Sequence, residues 1–239
     1  MTTRIACLGD SLTRAQFSVD YLDLLGRRHP SGDVRLARFG VNGDFAYNLL
    51  QRLDAVVANP SDVITVLIGT NDARASLAGY PVEQVMKRKQ LPVRPSADWF
   101  QHCLEAVVAR LRAETDATIG LLSIPVLGQQ LDAAAAQASQ AYSRMIAEVA
   151  AAHEVAYLPL HERQIEELRR ADPPPIPYRE ATPASTIGVL LQHAVLRRSL
   201  DTISRRRGLV LTTDHIHQNS RGATLIAEVI DAGLPARSA

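Results

Sequence analysis

Ile5-Ala6-Cys7-Leu8-Gly9-Asp10-Ser11-Leu12-Thr13 sets an apolar run against a glycine and a polar cluster. A run this short, bounded by a turn residue, reads as a strand buried on both faces. The same arrangement recurs along the chain: Val34–Phe39 ends in Gly40-Val41-Asn42-Gly43-Asp44, Val63–Ile68 in Gly69-Thr70-Asn71-Asp72, and Thr118–Leu122 in Ser123-Ile124-Pro125. A fifth run is Val155–Leu158. Between these runs, Val19–His29, Phe45–Ala58, Asp98–Ala113 and Leu131–His153 space their apolar residues three and four apart, which predicts helices. A last helix is expected over about Ser220–Asp231, capped by Asn219 or Ser220 and ended by Gly233. Parallel strands need crossover helices, so the alternation predicts an α/β domain whose five-stranded parallel sheet is covered on both faces. Five strands are too few for an eight-fold barrel.

Composition narrows the setting. The 239 residues carry 26 Lys+Arg against 25 Asp+Glu, a formal net charge of +1, which gives no basic surface for nucleic acid or for anionic lipid. An apolar fraction of 46% with 21% charged residues fits a chain that buries a core, and the length fits one domain over 1–239. The two cysteines, Cys7 and Cys103, have no partner near them in sequence and read as small buried hydrophobes, not as a disulfide or a metal site. No leader-like segment precedes the first strand, and the longest aliphatic stretch, Val63 to Ile68 around Thr65, is far below the roughly 18 residues that span a bilayer. The expectation is a soluble, cytoplasmic protein without integral membrane association.

Two segments interrupt the alternation. Pro81 to Pro95, with Lys87, Arg88 and Lys89, reads as a solvated loop or short helix. The second is an insert at about 172–208, opening with the extended Asp172-Pro173-Pro174-Pro175-Ile176-Pro177. It continues into an amphipathic helix expected over Ser185 to Ser204, whose apolar set is Ile187, Leu190, Leu191, Ala194, Leu200 and Ile203. Arg205, Arg206 and Arg207 close that helix with cations. The insert can be a packed embellishment, a cap over a pocket, or an arm that makes a homo-oligomer.

In an open parallel sheet, ligands bind beyond the C-terminal ends of the strands, which is where the polar clusters stand. Acyl transfer by a serine needs a nucleophile, a histidine base, a group that orients the base, and donors for the oxyanion. Each part has a candidate. Ser11 follows a strand at a glycine turn, where it is either a nucleophile or an ordinary helix cap. Gly43 can bring its N–H close to a substrate oxygen or be a plain turn glycine. Asn71 can aim its side-chain NH₂ at the same oxygen or close an Asx turn. His217, three residues after Asp214, is more specific, because on one turn the carboxylate can accept the Nδ1 proton and free Nε2 to face Ser11. His215 would point away from such a site in an extended turn, and the other five histidines carry no pattern. Phosphate-cradling loops, the G-x-S-x-G elbow and the zinc helix H-E-x-x-H do not occur. Asp214, His215 and His217 stand close in sequence, but no further convergent ligand can be named, so neither a metal nor another cofactor is expected.

Four blocks in order, Gly9-Asp10-Ser11-Leu12, Asn42-Gly43-Asp44, Gly69-Thr70-Asn71-Asp72 and Asp214-His215-Ile216-His217, resemble those of the SGNH hydrolases, also called GDSL esterases or lipases. The resemblance implies a flavodoxin-like three-layer α/β/α sandwich with Ser11 as nucleophile, His217 as base and Asp214 orienting it. It implies the Ser11 N–H, the Gly43 N–H and the Asn71 side chain as oxyanion donors, with Asp10 and Asp72 bracing them. The implied activity is hydrolysis of small-molecule carboxylic esters of small or medium acyl groups. A thioesterase, a lysophospholipase or a sugar O-deacetylase would use the same site, and a non-catalytic binding module would keep the fold. Arg14 and Arg74, beside the blocks, read as solvated cations or as a contact for an acidic substrate group. The long link before Asp214 departs from compact members and leaves the acyl and alcohol preference open.

Overall fold

The computed structural model describes residues 2–180 and 199–234. Five strands, β1 (Thr3–Gly9), β2 (Val34–Gly40), β3 (Val63–Leu67), β4 (Thr118–Leu122) and β5 (Ala156–Leu158), form one all-parallel sheet in the order β2-β1-β3-β4-β5. The chain starts in β1, moves out to β2, then returns to β3 on the other side. That reversal opens a crevice at the C-terminal ends of β1 and β3, the general ligand site of such sheets.

Eleven helices are described: α1 (Ser11–Arg14), α2 (Tyr21–Arg28), α3 (Ala46–Leu50), α4 (Asp54–Val57), α5 (Thr70–Ala75), α6 (Val82–Lys89), α7 (Ala97–Glu114), α8 (Ala134–Ala152), α9 (Leu160–Ala171), α10 (Leu200–Arg206) and α11 (Ser220–Ala232). Successive strand residues serve opposite faces. Ala6, Leu8, Ile64, Val66, Ile119 and Leu121 join α3, α4, α5, α7 and α8 in one core. Ile5, Cys7, Val63, Leu67 and Leu122 join α2, α9 and α11 in the other. The two-sided burial explains why the strands read as apolar runs and not as alternating ones. Both cysteines are buried and free, and burial pushes each thiol up to about 11.

Three elements differ from the sequence expectation. The helix expected over Phe45–Ala58 is two short helices, because the turn at Gln51-Arg52-Leu53 tightens to Arg52 N–H on Leu49 O and Val56 N–H on Leu53 O. Arg52 is thereby turned under the strand ends, where it donates to the carbonyls of Gly9 and Phe39. Helix α9 carried no clear apolar period, since its buried stripe holds His161 and Gln164 beside Leu160 and Leu168. Most of the helix expected over Ser185–Ser204, with Ile187, Leu190, Leu191 and Ala194, lies outside the described residues. Its end is a separate helix: Ser199 is extended at φ −64° and ψ 150°, and its hydroxyl accepts the Thr202 N–H to cap α10. Leu200 and Ile203 of the expected apolar set are buried. Among the described residues, no helix is long and apolar enough to cross a membrane.

Candidate active site

Ser11 is not the cap of its helix. Asp10 is, accepting the Leu12 N–H on Oδ1 at 2.9 Å, so Ser11 occupies the first helical position with its hydroxyl released from capping. The tight entry depends on Gly9 and Gly40 at the ends of β1 and β2. A Cβ on Gly9 would sit 2.2 Å from Thr13 Oγ1 and 2.4 Å from Leu67 O, and one on Gly40 would sit 2.3 Å from Arg14 N. Only glycine lets α1 cross the sheet this closely.

Across the crevice, Ser11 Oγ lies 3.1 Å from His217 Nε2, and His217 Nδ1 lies 2.8 Å from Asp214 Oδ2. The other Asp214 oxygen accepts the backbone N–H groups of His217 at 2.8 Å and Ile216 at 3.2 Å. Burial alone would raise the Asp214 pKa, but the His217 charge, its ring hydrogen bond and these backbone donors outweigh it and hold the carboxyl at about 2. An ionised carboxylate fixes the tautomer in which Nε2 is the acceptor. The Phe17 ring, 5.3 Å away and tilted, covers the imidazole.

The loop that carries His217 is clamped from several directions. Thr213 N–H bonds His217 O at 2.8 Å, Val19 N–H bonds Gln218 O at 2.8 Å, and Gln218 N–H bonds Ser18 Oγ at 3.1 Å. From α9, the Gln164 amide donates to Gln218 Oε1 at 2.8 Å and accepts the Val126 N–H at 2.9 Å. The unexpected polar stripe of that helix is therefore the support of the histidine loop. Asn219 caps α11 through Gly222 N–H, which fixes the exit of the same loop.

The other strand ends meet Ser11 from the opposite side. Gly43 stands in the Val41–Asp44 turn at φ +73°, and Asn71 in the first turn of α5. Among the described residues, no hydrogen-bond acceptor is found for the N–H groups of Ser11 and Gly43. Asn71 Nδ2 donates to Asp44 O at 2.9 Å and lies 3.2 Å from Asp10 Oδ2. Asp72 accepts the Ala46 N–H at 3.2 Å, joining α5 to α3. Asp10 and Asp72 are thus buried braces, with burial pushing their carboxyls up to about 6 and about 8.

Several contributors were not legible beforehand. Asp44 is held by Arg52 Nε at 2.7 Å and Lys89 Nζ at 2.8 Å, and Lys89 also bonds Asn42 O at 2.6 Å, fixing the Gly43 turn. Arg74 is neither solvated nor free for an acidic substrate. Its guanidinium pairs with Glu180 and donates to Asn71 Oδ1 at 2.8 Å. Arg14, by contrast, is exposed. His215 is left-handed at φ +73°, not extended; its ring packs edge-on against Tyr178, away from the Ser11–His217 bond. Among the described residues, no group of three or more His, Cys, Asp or Glu could hold a metal ion.

A model of the GDSL-like lipase/acylhydrolase family matches residues 7–184. Solved structures share the fold at low identity. An acetyl xylan esterase, AlAXEase, superposes with a TM-score of 0.70 at 17% identity, covering 97% of this chain and 100% of that one. The acetylxylan esterase Axe2 from Geobacillus stearothermophilus gives 0.68 at 16% identity, covering 99% and 97%. LAE5, an alpha/beta hydrolase from the metagenome of Lake Arreo, Spain, gives 0.66 at 18% identity, covering 97% and 95%. No curated protein matches the chain by sequence.

Proposed function

The chain belongs to the GDSL-like lipase/acylhydrolase family and is an ester-hydrolysing enzyme, and from that premise we propose that it works through an acyl-enzyme on Ser11. The observation that carries the proposal is the unbroken chain from Ser11 Oγ to His217 Nε2 at 3.1 Å and from His217 Nδ1 to Asp214 at 2.8 Å. Ser11 Oγ attacks the ester carbonyl as His217 takes its proton, and Asp214 stabilises the imidazolium. The carbonyl oxygen, now charged, is received by the Ser11 N–H, the Gly43 N–H and the Asn71 amide, whose longer contact, 3.2 Å to Asp10, gives way to it. His217 then gives its proton to the leaving alcohol, takes one from water, and water releases the acid.

Esters of small or medium acyl groups are the proposed substrates, in keeping with the acetyl xylan esterases that share the fold. Acetylated sugars are a specific second reading, favoured by the likeness to two acetyl xylan esterases.

Both readings are tested with p-nitrophenyl esters from acetate to palmitate and an acetylated xylo-oligosaccharide, using wild type beside Ser11→Ala. Expected are turnover highest on short acyl chains, labelling of Ser11 by a fluorophosphonate, and loss of both in the variant by at least about 1,000-fold. Turnover retained by Ser11→Ala overturns the acyl-enzyme. Turnover that peaks on palmitate overturns the small acyl site.

A further inference from the structure

Arg74 lies one helical turn beyond Asn71 on α5, and every edge of its guanidinium is engaged. Nη1 donates to Asn71 Oδ1 at 2.8 Å, Nε and Nη2 face the Glu180 carboxylate, and the group stands 5.3 Å from the centroid of the Tyr80 ring. Its side chain is only 13% exposed and that of Glu180 18%. Glu180 lies in the strap that follows α9. The strap is tied down where Gln129 Nε2 bonds Pro174 O at 2.9 Å and Gly208 O at 3.0 Å. Tyr178 within it donates its hydroxyl to Glu180 at 2.7 Å and sets its ring edge-on to His215 at 5.8 Å. A single strap thus bridges the loop that carries His217 and the helix that carries Asn71.

Resting on the reading of Asn71 as an oxyanion donor, we propose that Arg74, held by Glu180, is a positioning residue that fixes which end of the Asn71 carboxamide faces the reaction centre. The two ends of a carboxamide are nearly identical in shape, so only hydrogen bonds choose between them. With its oxygen on the guanidinium, Asn71 presents its NH₂ to the Asp44 carbonyl and the Asp10 carboxylate. A flipped amide would set NH₂ against the guanidinium and oxygen against both of those acceptors, three repulsive contacts in a buried site. The cation on the amide oxygen also polarises the group and strengthens its N–H donors. Glu180 fixes where the guanidinium sits and offsets its charge, so the pair supplies orientation more than net field. An acidic substrate group would have to displace Glu180 to use this arginine.

The test is a mutant cycle on p-nitrophenyl acetate with Asn71→Ala, Arg74→Ala and the double variant, beside the near-isosteric Glu180→Gln alone and with Asn71→Ala. Asn71→Ala should lower kcat by roughly 100- to 1,000-fold, and Arg74→Ala by about tenfold with KM within about twofold. In the Asn71→Ala background, removal of Arg74 should add less than about twofold, since its effect passes through the amide. Glu180→Gln should follow the same pattern at smaller amplitude, and it carries the test if Arg74→Ala does not fold. An equal loss in both backgrounds, an effect on KM alone, or wild-type kcat in Arg74→Ala and Glu180→Gln would overturn the positioning role while leaving the oxyanion reading intact. Unchanged kcat in Asn71→Ala would overturn the oxyanion reading itself, and this inference with it.

Discussion

Asp72 is buried beside the candidate site, where it joins α5 to α3 through the Ala46 N–H. Burial, reinforced by Asp10 and Asp44, moves its pKa from 3.8 to about 8, so the folded protein keeps a proton that the unfolded chain releases. The folded state therefore binds more protons across that window, and stability declines as pH rises from about 4 to about 8. Asp10, raised to about 6, adds to the same slope, whereas Asp214, lowered to about 2, loses its contribution only in strong acid. Asp72→Asn keeps the shape and an acceptor for the Ala46 N–H but cannot ionise. Urea midpoints measured from about pH 5 to 8 should decline less for the variant than for wild type. Parallel curves would mean that Asp72 is ionised in the folded protein throughout. The meeting of Ser11, Asp214 and His217 was legible because residue type and spacing, Asp214 three before His217 and Ser11 at a strand end, already suggested it. Arg52, Arg74 and Lys89 were not, because a long cation near a motif looks the same in sequence whether it meets water or a buried acceptor.

Among the elements, legibility followed the composition of the buried face. Helix α7 was readable because Phe100, Cys103, Leu104, Val107, Val108 and Leu111 trace an apolar stripe. Helix α9 was not, since His161 and Gln164 take core positions to meet Ser123, Ile124 and Gln218, partners that exist only in the assembled fold. The start of α11 was legible from its cap, although Asn219 does more than cap. Its oxygen accepts the Gly222 N–H, while its NH₂ donates to Ser204 Oγ at 2.7 Å and Val210 O at 2.9 Å, tying α11 to α10. Asn219→Ala should therefore cost about 2 kcal/mol, more than the typical cap, because the buried Ser204 hydroxyl and the part-buried Val210 carbonyl also lose a donor. Chemical denaturation measures this directly, and a loss below about 0.5 kcal/mol would show that water replaces the amide.

For the molecule as a whole, the sheet separates two cores that share one backbone. Ile146 on α8 belongs to one and Ile226 on α11 to the other, each 1% exposed. Ile146→Val and Ile226→Val should each cost about 1 kcal/mol, and the double variant about the sum, since no side chain is common to both cavities. Denaturant titrations should keep a single transition; two resolved steps would mean that the layers unfold independently. The fold class was legible because five short apolar runs alternate with segments of helical period, while the two short helices α3 and α4 were not, because Arg52 breaks their ladder through tertiary contacts. The bond between Ser11 and His217 joins residues 206 apart in sequence, from the first strand turn to the last loop. The proposed nucleophile and the proposed base therefore meet only when segments from opposite ends of the described fold have come together. A fold that has not yet joined its first strand turn to this last loop is without the proposed pair, so the proposed activity waits on long-range closure and not on either segment alone.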